Sequence, residues 1–266
     1  MKRKKSKRGN LRLAIAFVLC IFALIFLSLS YKAFLVLKNS KYDEQDRFTI
    51  GVYGKGTPEV LSFSPQTHTV VILKTDGFTN QNLGQALEVP VDAVIVNPSL
   101  SINKKNLTQS LLNILLNFKA NKTTLNTFDS IKLLSFSATT PPSSIYESNV
   151  SLQSDRALIE QRISRLFNYQ TIIFEKSTIE IQNGTDISGL GSRLATFISN
   201  MGGDVILVST SDKQISESKI YYNRDKNYTV SKLGDALGFG TVKATTNSIA
   251  DIKIIIGEDS LGNLRF

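Results

Sequence analysis

The stretch TIEIQNGTDISGLGSRLATFISNMGGDVILVS, residues 178–209, decides the fold. Thr178 to Gln182 alternate polar and apolar side chains, the period of a half-buried strand. Leu190, Leu194, Phe197, Ile198 and Met201 then recur at helical spacing, with Ser188 placed to cap the helix start. Gly202-Gly203 stops that helix, because a left-handed C-terminal cap is cheapest without a Cβ. Val205 to Ser209 reads as a buried strand. Downstream, Lys219 to Tyr222 forms another strand. Thr229 caps a second helix carrying Val230, Leu233 and Leu237, which Gly238 closes. Val242 to Thr245 and Asp251 to Ile256 complete the set. The order β-α-β-β-α-β-β predicts a mixed sheet with both helices on one face, a two-layer α/β sandwich over residues 177–259. Ile252 to Ile256 is apolar enough to be its central strand.

Upstream the signals are sparser but still α/β (α+β). Phe48 to Tyr53 is a strand. Val60 to Phe63 and Val70 to Leu73 pair as a hairpin around Ser64-Pro65-Gln66-Thr67. Val89 to Val96 is a further β-rich run. Leu107 to Phe118 and Asp155 to Phe167 carry helical spacing, the latter with Ser154 as its cap. Residues 121–149 are rich in Ser and Thr and read as an irregular connector, with a short strand at Ile131 to Phe136. Together these make a small mixed α/β domain over residues 47–175.

The N-terminus sets the location. Leu13 to Tyr31 is an uncharged run. At ~1.5 Å per residue it spans roughly 28 Å, close to the hydrocarbon core of a bilayer. With Ala33 to Leu37 it forms an anchor over residues 13–37, and the lipid bilayer is the first expected partner. Seven of the 31 basic residues precede it, leaving 24 against 22 acidic residues in the remainder. That tail, residues 1–12, fixes the N-terminus in the cytoplasm by the positive-inside rule and sends the rest across. A nearly neutral ectodomain offers no footprint for nucleic acid. Residues 38–46 read as a polar linker and 260–266 as a tail.

Catalytic chemistry is thinly represented. The single cysteine, Cys20, lies within the apolar run, and the single histidine, His68, sits in a turn. That argues against a zinc cluster or a histidine-based triad, and no cofactor or metal is expected. The loop from Asn183 to Gly191 follows a strand and opens a helix, where phosphates bind in many α/β folds. A dinucleotide fingerprint would need glycine at Leu194, and a P-loop would need lysine at Leu190. Turn chemistry is the plainer account of Asn183-Gly184, Ser188 and Gly189. Arg162 and Arg165, three residues apart on one helix, could hold a phosphate or simply face solvent.

Two stretches carry a family resemblance. Ile179 to Thr185, Ser188 to Ala195, Met201 to Val205, Leu233 to Gly238 and Ala250 to Asp259 resemble the LytR C-terminal domain in order and spacing. Within that stretch the candidate binding residues are Asn183, Gly184, Ser188, Gly189 and Arg193, at the loop that opens the helix. Upstream, Phe48 to Val52, the hairpin through Pro65, Val70 to Asp76 and Leu83 to Val96 resemble the LytR–CpsA–Psr catalytic domain. That resemblance implies transfer of anionic glycopolymer from a polyprenyl pyrophosphate carrier, with arginines on the pyrophosphate and aspartates on magnesium. Asp76 would then be a metal ligand and Arg156 a pyrophosphate contact. The departures are specific. Thr75 stands where the family has arginine, and no aspartate stands at Tyr53 or Gly54. Threonine cannot supply the charge-assisted, bidentate contacts of a guanidinium. The sequence therefore points to a degenerate, non-catalytic domain that binds cell-wall glycopolymer or another envelope protein.

Overall fold

The computed structural model describes residues 7–76, 82–117, 121–244 and 248–266. It begins with one long helix, α1 (Lys7–Lys38). From Ile15 to Lys38 this helix is long and apolar enough to cross a membrane, and none of that span is buried against the protein.

The first sheet contains β1 (Phe48–Tyr53), β2 (Glu59–Ser64), β3 (Thr69–Asp76), β4 (Ala93–Val96), β5 (Lys122–Thr123) and β6 (Ile145–Ser151) in the order β5-β4-β1-β2-β3-β6. The β2–β3 hairpin turns at Pro65 to His68, with Val60 opposite Leu73 and Phe63 opposite Val70. β1 runs parallel to β4, and β3 runs parallel to β6. The carboxyl ends of these four strands therefore share one end of the sheet.

Both faces of this sheet are filled. On one, Ile50, Phe63, Ile72 and Ile95 pack against Leu111 and Ile114 of α3 (Leu107–Leu116) and Leu133 of α4 (Thr127–Thr139). On the other, Val60, Leu73 and Val150 pack against Leu83 and Leu87 of α2 (Leu83–Leu87) and Ile163 and Phe167 of α5 (Arg156–Phe167).

The second sheet follows α6 (Gln170–Glu175). Its strands are β7 (Thr178–Asn183), β8 (Asp204–Thr210), β9 (Lys219–Tyr222), β10 (Gly240–Lys243) and β11 (Ile252–Ile256), in the order β10-β9-β11-β7-β8. β11 is central, parallel to β7 and antiparallel to β9. The helices α7 (Leu190–Asn200) and α8 (Tyr228–Leu237) put Leu194, Phe197, Ile198, Val230 and Leu233 into one core with Ile181, Ile254 and Ile256, so both cover the same face. The predicted β-α-β-β-α-β-β order and two-layer arrangement hold.

Several local expectations are corrected. Residues 131–136 are not a strand and 121–149 is not an irregular connector: α4 runs from Thr127, capped by the side chain of Asn126, and β6 follows it. The inward side of α4 includes buried Ser130 and Ser137, so apolar spacing never marked it. β8 is an edge strand, and Ile206, Leu207 and Val208 are exposed rather than buried. Ser154 gives way to Asp155, which accepts from the Ala157 amide, and Thr229 gives way to Asn227, which accepts from the Val230 amide. Thr229 instead lies within the first turn of α8, donating to Glu175. Ser188 caps nothing: Gly189, at φ +79°, occupies the N-cap position of α7 without a side-chain bond.

Candidate functional site

A cleft of about 570 Å3 lies at the carboxyl end of β6, where α2, α5 and α7 converge. The mouths of parallel strands are the usual place for a ligand in α/β folds. α2 ends in Glu88, whose backbone is left-handed (φ +51°, ψ +51°). A non-glycine residue in that region costs of order 1 kcal/mol or more and needs its surroundings to hold it. Here the Asn200 side chain donates to the Glu88 carbonyl at 3.0 Å, and the Glu88 carboxylate pairs with Arg156.

Arg156 opens α5 and also bonds Glu160 one turn on, at 2.8 Å. Arg193, in the first turn of α7, sits 3.9 Å from the same Glu88 oxygen and donates to the backbone oxygen of Phe266 at 2.8 Å. Two arginines thus meet two glutamates, and the cleft carries no net charge. Burial pushes the Glu88 carboxyl up against the opposing pull of Arg156. The bonds to Glu160, then the charge of Glu88, hold the Arg156 guanidinium more firmly protonated than usual.

The sign of the Glu88 shift gives a test. An acid whose folded pKa is raised binds its proton more tightly when folded, so its contribution to stability falls as pH rises through that interval. The free value is 4.5. Glu88→Gln is expected to flatten the fall of the stability curve just above pH 4.5, changing stability at neutral pH by less than about 1 kcal/mol. Urea midpoints of both proteins across that range check this. A variant curve parallel to the original would exclude Glu88 as the titrating group.

The other candidate residues are scattered. Asp76 ends β3 with its side chain exposed, and its carbonyl accepts from Leu152 at the rim of the cleft. Gly77, the next residue, lies outside the described residues. Thr75 is fully buried, its hydroxyl donating to the Pro58 carbonyl at 2.9 Å. At Gly54 an added Cβ would collide with the Leu100 carbonyl oxygen. Arg162 donates to the Asn149 carbonyl, and Arg165 is exposed.

Asn183 and Gly184 form a closed turn. Asn183 Oδ1 accepts from the amide and hydroxyl of Thr185, and its Nδ2 donates to the Ile187 carbonyl. Gly184 is pressed against Ile215 and the Ile256 carbonyl. Ser188 and Gly189 are exposed and, like Asn183 and Gly184, do not line the cleft; Arg193 does. Sequence reasoning missed Glu88, which meets Arg193 only after two distant segments dock. Its one local signal was the Leu87-Glu88-Val89-Pro90 boundary. Among the described residues, no group of three His, Cys, Asp or Glu could hold a metal ion.

Comparison with known proteins locates one part of the chain. Among solved structures, TagV of B. subtilis overlaps 41% of this chain and 85% of its own, at 8% identity and a TM-score of 0.29. Lmo1026 from Listeria monocytogenes overlaps 69% of this chain and 87% of its own, at 13% identity and a TM-score of 0.18. Overlaps this loose fix neither a fold nor an activity. No curated protein matches the chain. Residues 176–259, however, match the family model described as LytR cell envelope-related transcriptional attenuator. That span holds β7 through β11 with α7 and α8, so the second sheet and its two helices are the part of the chain that matches this family model.

Proposed function

We propose that this chain is a membrane-anchored scaffold of the cell envelope. Its α1 helix crosses the membrane with the basic tail inside, and its outer part binds cell-wall glycopolymer or another envelope protein. Residues 47–175 are a degenerate LytR–CpsA–Psr-like domain without transfer activity. The supporting observation is the neutralised cleft. A pyrophosphate needs uncommitted guanidinium groups, and Arg156 and Arg193 are already engaged by Glu88, Glu160 and the Phe266 carbonyl. Two further positions support it. Thr75 points into the core, and position 54 has no room for a carboxylate side chain on this backbone.

The test uses the detergent-solubilised chain with isolated cell-wall sacculi and a lipid-linked pyrophosphate glycan. Co-sedimentation with sacculi is expected, equal for the original and Asp76→Ala, with no pyrophosphate bond broken by either. Failure to bind any wall or envelope fraction would sink the scaffold reading. Turnover abolished by Asp76→Ala would instead establish the rival reading, a glycopolymer phosphotransferase using Asp76 and Arg156.

A further inference from the structure

A second cavity, of about 680 Å3, opens at the foot of α1. Leu35, Val36, Lys38 and Lys41 form one wall, and residues 124–127, just before and at the start of α4, form the other. The walls are tied together. Asn126 Nδ2 donates to the Val36 carbonyl at 2.7 Å, and Asp129 of α4 accepts from the Ser40 hydroxyl at 2.5 Å. The cavity therefore keeps its place relative to the helix that enters the membrane.

Its height follows from the helix rise. The anchor ends at Leu37, and Lys38 follows it directly, within roughly 2 Å along the helix axis. The headgroup layer occupies that zone, since it adds roughly 5–7 Å to each side of the hydrocarbon. The lining chemistry suits an anion. None of the ten lining residues is acidic. The neighbouring carboxylate, Asp129, is buried with its oxygens taken by Ser40 and the amides of Lys41 and Tyr42. Lys38 is exposed, and the Lys41 ammonium has one long contact, 3.4 Å to the Asp92 carbonyl. Leu35 and Val36 leave apolar surface open beside the two ammonium groups.

We propose that this cavity seats the headgroup of an anionic phospholipid, with its phosphate between Lys38 and Lys41 and an acyl chain running down α1 past Leu35. The inference rests on the anchor reading of α1. The experiment separates the two: a chain that does not enter nanodiscs sinks the anchor, and one that enters but ignores lipid charge sinks the site.

The intact chain is placed in phosphatidylcholine nanodiscs with and without phosphatidylglycerol, and unfolding is followed by circular dichroism. A ligand that binds only the folded state raises the unfolding temperature. Phosphatidylglycerol is expected to raise it, and Lys38→Gln with Lys41→Gln to abolish the rise while melting as the original does in neutral discs. Substituting Lys2, Arg3, Lys4 and Lys5 by Gln is expected to leave the rise intact. No rise in the original chain, or a rise surviving the double substitution, overturns the site. A rise reproduced by glycerol phosphate added to neutral discs overturns the lipid assignment in favour of a soluble phosphate. If the double variant melts low even in neutral discs, native mass spectrometry of retained lipid decides. Phosphatidylglycerol must then be kept by the original chain and lost from Lys41→Gln alone.

Discussion

Gly257→Ala is expected to lower the unfolding temperature of the C-terminal domain by about 10 °C or more. The cause is not backbone strain, because Gly257 has an ordinary φ of −105°. It is the closeness of a second backbone. A Cβ built there would lie 2.5 Å from the Glu217 carbonyl carbon and 2.7 Å from both the Glu217 and Ser218 nitrogens. Backbone cannot swing aside as a side chain can. The crossing is also pinned from both directions. The Gly257 amide donates to Ser218 Oγ at 2.8 Å, and the Ser218 amide and hydroxyl donate to Asp259 at 2.9 and 2.6 Å. Prising these segments apart breaks a set of buried and part-buried hydrogen bonds.

Overpacking costs typically 1–3 kcal/mol and more where nothing can give. For a domain of this size each kcal/mol shifts the midpoint by roughly 4–8 °C. Gly240→Ala is the control: its φ is not positive and nothing lies within 4 Å of the added carbon. It should change stability by less than about 0.5 kcal/mol. Thermal melts of the three proteins decide the matter, and equal midpoints for Gly257→Ala and Gly240→Ala would refute the close-approach argument.

Gly257 also shows what the sequence could reveal. The C-terminal domain was legible because each element carried its own punctuation. Ile252 to Ile256 is apolar at four of its five positions, and Leu190 to Met201 holds a clean helical stripe between glycines. Local rules sufficed for order, type and centrality. They failed at the caps, where two or three adjacent polar residues compete and backbone geometry chooses. Gly189 takes the place of Ser188 because the chain enters α7 through a left-handed turn, which a glycine adopts at no steric cost.

The first sheet was harder for a different reason. α4 buries Ser130, Ser137 and Asp129 beside Leu133, so its inward face is no more apolar than its outward one. Tertiary packing overrides composition there. The cleft was harder still. Asp76 and Arg156 could be nominated from a resemblance, but Glu88 meets Arg193 across more than a hundred residues, and no local pattern records such a meeting. Charge neutralisation at the cleft is a property of docking between the two sheets' helices. It therefore became visible only with the fold.

Asp129→Ala is expected to free the segment between α1 and β1 and to make Tyr42 a chymotrypsin site. Residues 38–46 read as a plain linker in the sequence, yet the structure stitches them to α4. Asp129 accepts from the Ser40 hydroxyl at 2.5 Å, the Lys41 amide at 3.1 Å and the Tyr42 amide at 3.2 Å. Lys132 then holds the Tyr42 carbonyl at 2.9 Å and the Glu44 carboxylate at 3.1 Å. Asp129 lies in the first turn of α4, where a carboxylate also meets the positive end of the helix dipole. It is buried, 1% exposed, so alanine would leave donors without water to replace the lost acceptor.

Hydrogen bonds to a charged group contribute about 1.5–3 kcal/mol each, and they do not add fully. A combined loss of about 3–5 kcal/mol follows, of which 3 kcal/mol raises the population of the open segment roughly a hundredfold. When opening is fast relative to cleavage, the cleavage rate follows that population. Tyr42 is itself 1% exposed in the folded chain and cannot be cut there without opening. Asp129→Asn keeps one acceptor oxygen and should fall between the two. The measurement is the rate of cleavage after Tyr42 in detergent for all three proteins. A rate for Asp129→Ala equal to that of the original chain would mean the stitch is not what holds the segment after α1 in place. A graded increase would make Asp129 the group that ties the segment after α1 to α4.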